Sequence, residues 1–306
     1  MTPSRVLVTG AGGFIGRRTL EPLIARGHEV HAVTRRPLPV ASPHLHVHAV
    51  DLHDHRAAAA LVERVRPEVL LHLAWDVTPG AYVTSRENLP WVQSSLALVD
   101  RFVREGGRRV VGAGTCAEYD WRYGYCSEAV TPLEPATLYA ASKHGLAGIV
   151  GRLAAQEGVG FAWGRVFFLH GPEEAPERLV PAIVRAVATG APMRLRHPAQ
   201  VRDYLHVDDV AGAFAALVDA PVDGPVNIAS GEAVSLATLA AHVAEALGRP
   251  LRLEPVPDAG EDRYPLVVGD VARLHGDVGF TPRFGLRAGL QDTAAWWERR
   301  LGTAGA

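Results

Sequence analysis

Only two cysteines, Cys116 and Cys126, occur in 306 residues. That excludes a disulfide framework and a four-ligand zinc site of cysteines. Charge of one sign is equally scarce. Lys and Arg number 31 against 33 Asp and Glu, a formal net charge of −2. Bulk electrostatic attraction to nucleic acid or to an anionic membrane is therefore not expected. No apolar run approaches the roughly 18 residues of a membrane span. The first residues, MTPSRVLVTG, enter a strand pattern without the apolar core of a signal peptide. A soluble cytoplasmic protein is expected. There is no internal repeat and no low-complexity linker. What the chain has is core: 48% of it is apolar, over about twice the length of a typical domain. It also has 14 histidines. His44, His46, His48, His53 and His55 fall along one strand and loop. They are read as solvated or packed side chains, and no metal is expected.

The first half alternates short apolar runs with amphipathic stretches. Strands are expected over 5–9, 29–34, 46–50, 69–74, 109–112 and 161–167. Helices are expected over 15–26, 56–65, 89–105 and 138–156. Strand–helix alternation builds right-handed βαβ units, hence an α/β fold with a Rossmann-type doubly wound parallel sheet. Past residue 168 proline content rises and a smaller α/β lobe is expected. The division reads 1–167 plus about 204–230 for the dinucleotide domain, and 168–203 with 231–306 for a substrate lobe. His206-Val207-Asp208-Asp209 is read as a helix start, with the two Asp as its cap.

The turn after the first strand is Gly10-Ala11-Gly12-Gly13-Phe14-Ile15-Gly16. Its spacing is G-x-x-G-x-x-G, with Gly10, Gly13 and Gly16. Glycines there let the backbone approach a pyrophosphate, and the following helix N-terminus offers N–H groups and a positive dipole end. Phe14 and Ile15 lie inside the same turn. Where a carboxylate would accept from an NAD ribose, this chain has Thr34-Arg35-Arg36. Two guanidinium groups suit a 2′-phosphate, so NADP(H) is preferred and NAD(H) is the alternative. Asp51, in Asp51-Leu52, can approach the adenine amino group or serve as a loop residue.

Tyr139 and Lys143 stand four residues apart, one turn along one helix face. A cation beside a phenol favours the phenolate, so Lys143 is expected to lower the pKa of Tyr139. Such a phenol can give or take a proton at a carbonyl. Thr115, at the C-terminal edge of the fifth strand, can hydrogen-bond the substrate oxygen.

Together these residues resemble the extended short-chain dehydrogenase/reductase family of nucleotide-sugar epimerases, dehydratases and reductases. The matching pieces are Gly10 to Gly16, Asp51-Leu52, His72-Leu73-Ala74, Thr115, Tyr139 with Lys143, Gly171-Pro172 and Arg202 to Val210. The resemblance implies cofactor contacts from Leu52 and Ala74, and Lys143 on the ribose hydroxyls. It implies phosphate-binding roles for Arg202 and Arg263, and a homodimer formed through the two long helices. Trp75, Tyr82, Glu118 and Tyr125 can line the sugar end. Sugar 4,6-dehydratases carry Asp-Glu directly after the catalytic Thr, where this chain has Cys116-Ala117. Epimerase-reductases of the family use a Cys where this chain has Ala117. The stretch Gly114 to Asp120 most resembles reductases of nucleotide-activated 4-keto-6-deoxysugars. NADPH-dependent 4-ketoreduction is thus the expected reaction. A nucleotide-sugar 4-epimerase and a non-catalytic NADP-binding regulator are the alternatives.

Overall fold

The computed structural model describes residues 3–35, 37–38, 41–257 and 260–303. The chain opens with β1 (Arg5–Thr9), α1 (Gly16–Ala25), β2 (Glu29–Val33), β3 (Leu45–His48), α2 (His55–Val65), β4 (Val69–His72), α3 (Asn88–Arg104) and β5 (Arg109–Thr115). Two 3-10 turns, Cys116–Glu118 and Trp121–Tyr123, follow. Next come β6 (Tyr125–Cys126), α4 (Leu138–Glu157), β7 (Gly160–Val166), β8 (Phe168–His170), α5 (Leu179–Thr189), β9 (Met193–Arg194) and β10 (Val201–His206). The remainder is α6 (Val207–Asp219), β11 (Gly224–Ile228), β12 (Ala233–Ser235), α7 (Leu236–Ala246), β13 (Leu253–Glu254), β14 (Leu266–Gly269), α8 (Ala272–Gly276) and α9 (Leu286–Thr303).

Seven strands form one sheet in the order β11-β7-β5-β4-β1-β2-β3. Every pairing in it is parallel. This is a Rossmann-type doubly wound α/β fold. The continuous apolar runs of its strands have a direct cause: helices cover both faces, so side chains of either parity are buried. Val6 and Val8 of β1 pack with Leu20 and Leu23 of α1 and with Phe214 and Leu217 of α6. Leu7, between them, points the other way, to Leu61 of α2, Leu98 of α3 and Leu146 of α4. The order reverses at β1, whose neighbours are β2 and β4, and a crevice opens there at the strands' C-terminal ends.

The second layer system is a mixed sheet, β12-β10-β14-β6 with β8 beside β10, and a short β13-β9 pair. A separate apolar cluster joins α5, α7 and α9 through Ile183, Leu239, Leu290 and Trp297. Tyr204 pairs in this small sheet through β10, and the chain rejoins the large sheet only with α6 and β11. Tyr125–Cys126, inside the first half of the sequence, also belongs to the small sheet.

The start of α6 differs from the expected one. His206 is the cap, its ring accepting from the Asp208 amide at 3.3 Å. The Asp209 carboxylate instead accepts from the amides of Arg283 and Phe284, at 2.8 and 2.9 Å. Asp208 turns outward to the Arg18 guanidinium at 2.9 Å. The two carboxylates therefore tie α6 to distant segments rather than to its own first turn.

Candidate active site

The glycine turn is held by its own backbone. The Gly13 amide donates to the Gly10 carbonyl at 2.8 Å, and α1 starts at Gly16 without a side-chain cap or an acidic first turn. Gly10 sits at φ +68°, and a Cβ there would lie 2.7 Å from the Ala74 nitrogen. A Cβ at Gly16 would lie 2.1 Å from the Gly10 carbonyl oxygen. Both glycines are sterically required, and they leave a cradle of backbone under an uncapped helix end. That cradle suits a pyrophosphate. Phe14 lies under the Arg18 guanidinium, and Ile15 leans on the core. Ala74 is buried against the turn, and Leu52 sends its side chain into the core.

Arg35 and Asp51 meet at the end of β2, 3.8 Å apart and both exposed. Arg36 lies outside the described residues. The carboxylate and one of the two guanidinium groups expected at the adenosine end are thus neighbours.

Thr115 ends β5, its hydroxyl accepting from the Ala117 amide at 3.2 Å and standing close enough to the Tyr139 phenol to act on its titration. Tyr139 enters from the first turn of α4, which Thr137 caps by accepting from the Ala140 amide. Lys143, one turn later, donates to the Ala113 carbonyl at 3.0 Å. Its ammonium lies 3.8 Å from the centre of the Trp75 ring. Trp75 is fixed in turn by donating to Asn88 Oδ1 at 2.8 Å, and it meets Tyr139 edge-on. Tyr82 packs against Tyr139 from another side, 4.8 Å between ring centres. The structure brings Thr115, Tyr139 and Lys143 to one place, and Trp75 and Tyr82 pack around them.

The electrostatics differ from expectation. Burial pushes the Tyr139 phenol above its usual value; Tyr82 adds to the rise and the Thr115 hydroxyl offsets part of it. Lys143 does not bring the phenol toward neutrality here. Its own ammonium is buried and drawn down to about 7, with Glu118 opposing the fall. Desolvation acts on both partners of the pair, and the lysine's hydrogen bond goes to backbone.

Glu118 is corrected outright. It is completely buried and lines no sugar site. Its Oε1 accepts from the Thr115 amide and from Trp163 Nε1, both at 2.9 Å, and its Oε2 accepts from Arg165 Nε at 3.0 Å. Glu118 closes a capping box that holds the backbone of Thr115. Tyr125 likewise stands on β6, exposed, beside Asp270.

Arg202 is buried, its guanidinium over the rings of Trp121 and Phe168. Trp121 donates to the Cys116 carbonyl at 2.7 Å, which links this cation to the residue after Thr115. Burial lowers the Arg202 pKa and Asp262 opposes the fall. Arg263 is exposed on the following loop. One residue escaped the sequence reading. Glu174, after β8, is buried with Oε2 unpartnered among the described residues, and burial pushes it up to about 8 despite Arg178 nearby. A Glu inside a Glu-Glu-Ala-Pro loop carries no sequence signal of burial.

Comparison with known proteins agrees with this geometry. The sequence model of the NAD dependent epimerase/dehydratase family matches residues 6–229. A dTDP-4-dehydro-6-deoxy-D-allose reductase of a Streptomyces species is 26% identical, over 96% of each chain. A probable UDP-glucuronate 4-epimerase of Rhizobium meliloti is 24% identical, over 96% of this chain and 97% of that one. The solved structure of MoeE5 in complex with UDP-glucose and NAD superposes with a TM-score of 0.82 at 30% identity, over 97% of this chain and 99% of the other.

Proposed function

The chain belongs to the NAD-dependent epimerase/dehydratase family, and on that premise we propose that it reduces, with NADPH, the 4-keto group of a nucleoside-diphosphate 4-keto-6-deoxyhexose. The dinucleotide, when bound, supplies the hydride. Gly10, Gly13 and Gly16 admit its pyrophosphate, with Arg35 and Arg36 assigned to a 2′-phosphate. Thr115 holds the keto oxygen and Tyr139 delivers the proton to it. Lys143 holds the ribose hydroxyls and brings the positive charge. Arg202 and Arg263 are assigned to the substrate diphosphate and Trp75 to the sugar end. Two copies are proposed to pair through α3 and α4, where Leu89 and Ile149 are exposed.

One observation carries the choice of reduction. After Thr115 come a buried thiol and a methyl group. The Cys116 thiol is buried and Ala117 carries no ionisable group. Water elimination needs an acid for the departing hydroxyl, and neither position supplies it. Hydride transfer with a single proton from Tyr139 remains.

A second reading, 4-epimerisation with retained NAD, is favoured by the Asp51 carboxylate beside Arg35. An Arg35 guanidinium already paired with a carboxylate leaves less positive charge for a 2′-phosphate. The deciding experiment is NADPH oxidation against a panel of TDP-, CDP- and GDP-linked 4-keto-6-deoxysugars, with NMR of the product. Stoichiometric oxidation supports reduction; product without net cofactor change supports epimerisation. Tyr139→Phe should lower kcat by about 10²–10⁴-fold while NADPH titration by fluorescence stays near wild type. A fully active Tyr139→Phe variant would remove the phenol from the mechanism.

A further inference from the structure

The outer edge of the large sheet gathers imidazoles that the proposed chemistry does not use. β2 and β3 are parallel, with His31 opposite His46 and Val33 opposite His48. Side chains alternate along a strand, so Glu29 and His31 share one face of β2, and His46 and His48 carry that face onto β3. The His31 ring is stacked between the other two, 4.8 Å from His46 and 5.2 Å from His48 between ring centres.

Glu29 Oε1 stands 3.3 Å from His31 Nε2 and 3.2 Å from His46 Nε2. The three ligand atoms all lie within 4.8 Å of one another. In a tetrahedral zinc site with bonds of about 2.0–2.1 Å, neighbouring ligand atoms are separated by roughly 3.3 Å. Two of the three separations already have that length. His31 has a further partner: its Nδ1 is 3.0 Å from His48 Nε2. A metal-bound imidazole characteristically gives its other N–H to such an acceptor, which fixes ring and tautomer. His31 is 8% exposed, whereas His46 is open to solvent. An ion can therefore enter from the His46 side and keep water in its fourth position.

We propose that Glu29, His31 and His46 bind one divalent transition-metal ion of the zinc class, with His48 holding the tautomer of His31. Two imidazoles and one carboxylate select zinc, cobalt, nickel or copper over magnesium and calcium, which take all-oxygen sets. The ion would clamp β3, the last strand of the sheet, to β2 and so add to the ladder and to the packing of Leu45 at that edge. The site stands apart from the glycine cradle and from Tyr139, so its test is independent of the proposed reaction.

The experiment is calorimetric titration of the tag-free, chelator-stripped full chain with Zn²⁺, and with Co²⁺ followed by visible absorption. One Zn²⁺ per chain is expected, with the intense visible bands of four-coordinate cobalt and a Zn²⁺-dependent rise in Tm. His46→Gln changes an exposed side chain and should keep the chelator-treated Tm while weakening Zn²⁺ at least about 10-fold. His48→Phe, which removes only the outer hydrogen bond, should weaken it by about 10–100-fold. His44→Gln, outside the cluster, should leave it unchanged. The proposal is overturned by a wild type that binds no stoichiometric Zn²⁺, by a His46→Gln variant that binds it equally well, or by Mg²⁺ competing on equal terms.

Discussion

Glu174 shows what burial does to a single carboxyl group. Its pKa of about 8 lies well above the ordinary carboxylate value. The folded chain therefore holds this proton across pH 4.5 to 8 while the unfolded chain releases it. Stability falls as pH rises through that window, because only the unfolded chain gains the free energy of releasing the proton, while burial keeps native Glu174 protonated. Glu174→Gln keeps the shape and drops the titration. Thermal melts should show the variant more stable than wild type at pH 9, with the gain shrinking to nothing near pH 4. A gain that does not vary with pH would mean that the carboxyl is not the source. Thr115, Tyr139 and Lys143 could be read from residue type and spacing, since one helical turn joins the last two. Glu118 could not. Its polarity and its place after Thr115 suggest a ligand contact, yet Arg165, 47 residues away, supplies a buried counter-charge. Paired charges survive burial and single ones titrate, and sequence spacing does not show which case applies.

The β1–turn–α1 unit was the most legible element, because its requirements are local. Strand, left-handed glycine and uncapped helix start follow one another within a dozen residues. Gly16→Ala should lower Tm, by about 1–3 kcal/mol of stability, since its methyl must displace the Gly10 carbonyl. It should also abolish the rise in Tm that NADPH or NAD gives the wild type, measured by differential scanning fluorimetry. A variant that keeps the full dinucleotide-dependent rise would move the cofactor away from this turn. Helix α6 was read less well. Asp208-Asp209 looks like a cap because Asp caps helices often. His206 took that position, and the carboxylates were drawn off by Arg18 and by the amides of Arg283 and Phe284. The short strands β6, β8, β9, β12, β13 and β14 left no period long enough to recognise.

The two sheets are joined by a buried carboxylate. Asp203, on β10, accepts from the Ser230 amide and hydroxyl at 2.7 Å each, from the Gly231 amide at 2.9 Å and from the Gly269 amide at 3.1 Å. Ser230 and Gly231 lie where the chain passes from β11 in the large sheet to β12 in the small one. Asp203→Ala would leave these donors unmatched, at about 1–3 kcal/mol each. A loss of about 3 kcal/mol or more is expected in urea unfolding; an unchanged midpoint would show that the crossing holds without it. Among the described residues no helix is long and apolar enough to cross a membrane. Runs of apolar residues and glycine spacing were enough to establish the doubly wound sheet, and the Tyr–Lys interval was enough to place Tyr139 and Lys143 one turn apart on one helix. Those signals lie between neighbours in the chain, within a turn of helix or a pleat of strand. The pairing of Glu118 with Arg165, the hub at Asp203, the cation of Lys143 on Trp75 and the placing of His31 against His46 arose from strand register and from one layer closing on another. Such contacts join segments whose separation follows no period, and only folding brings them within reach.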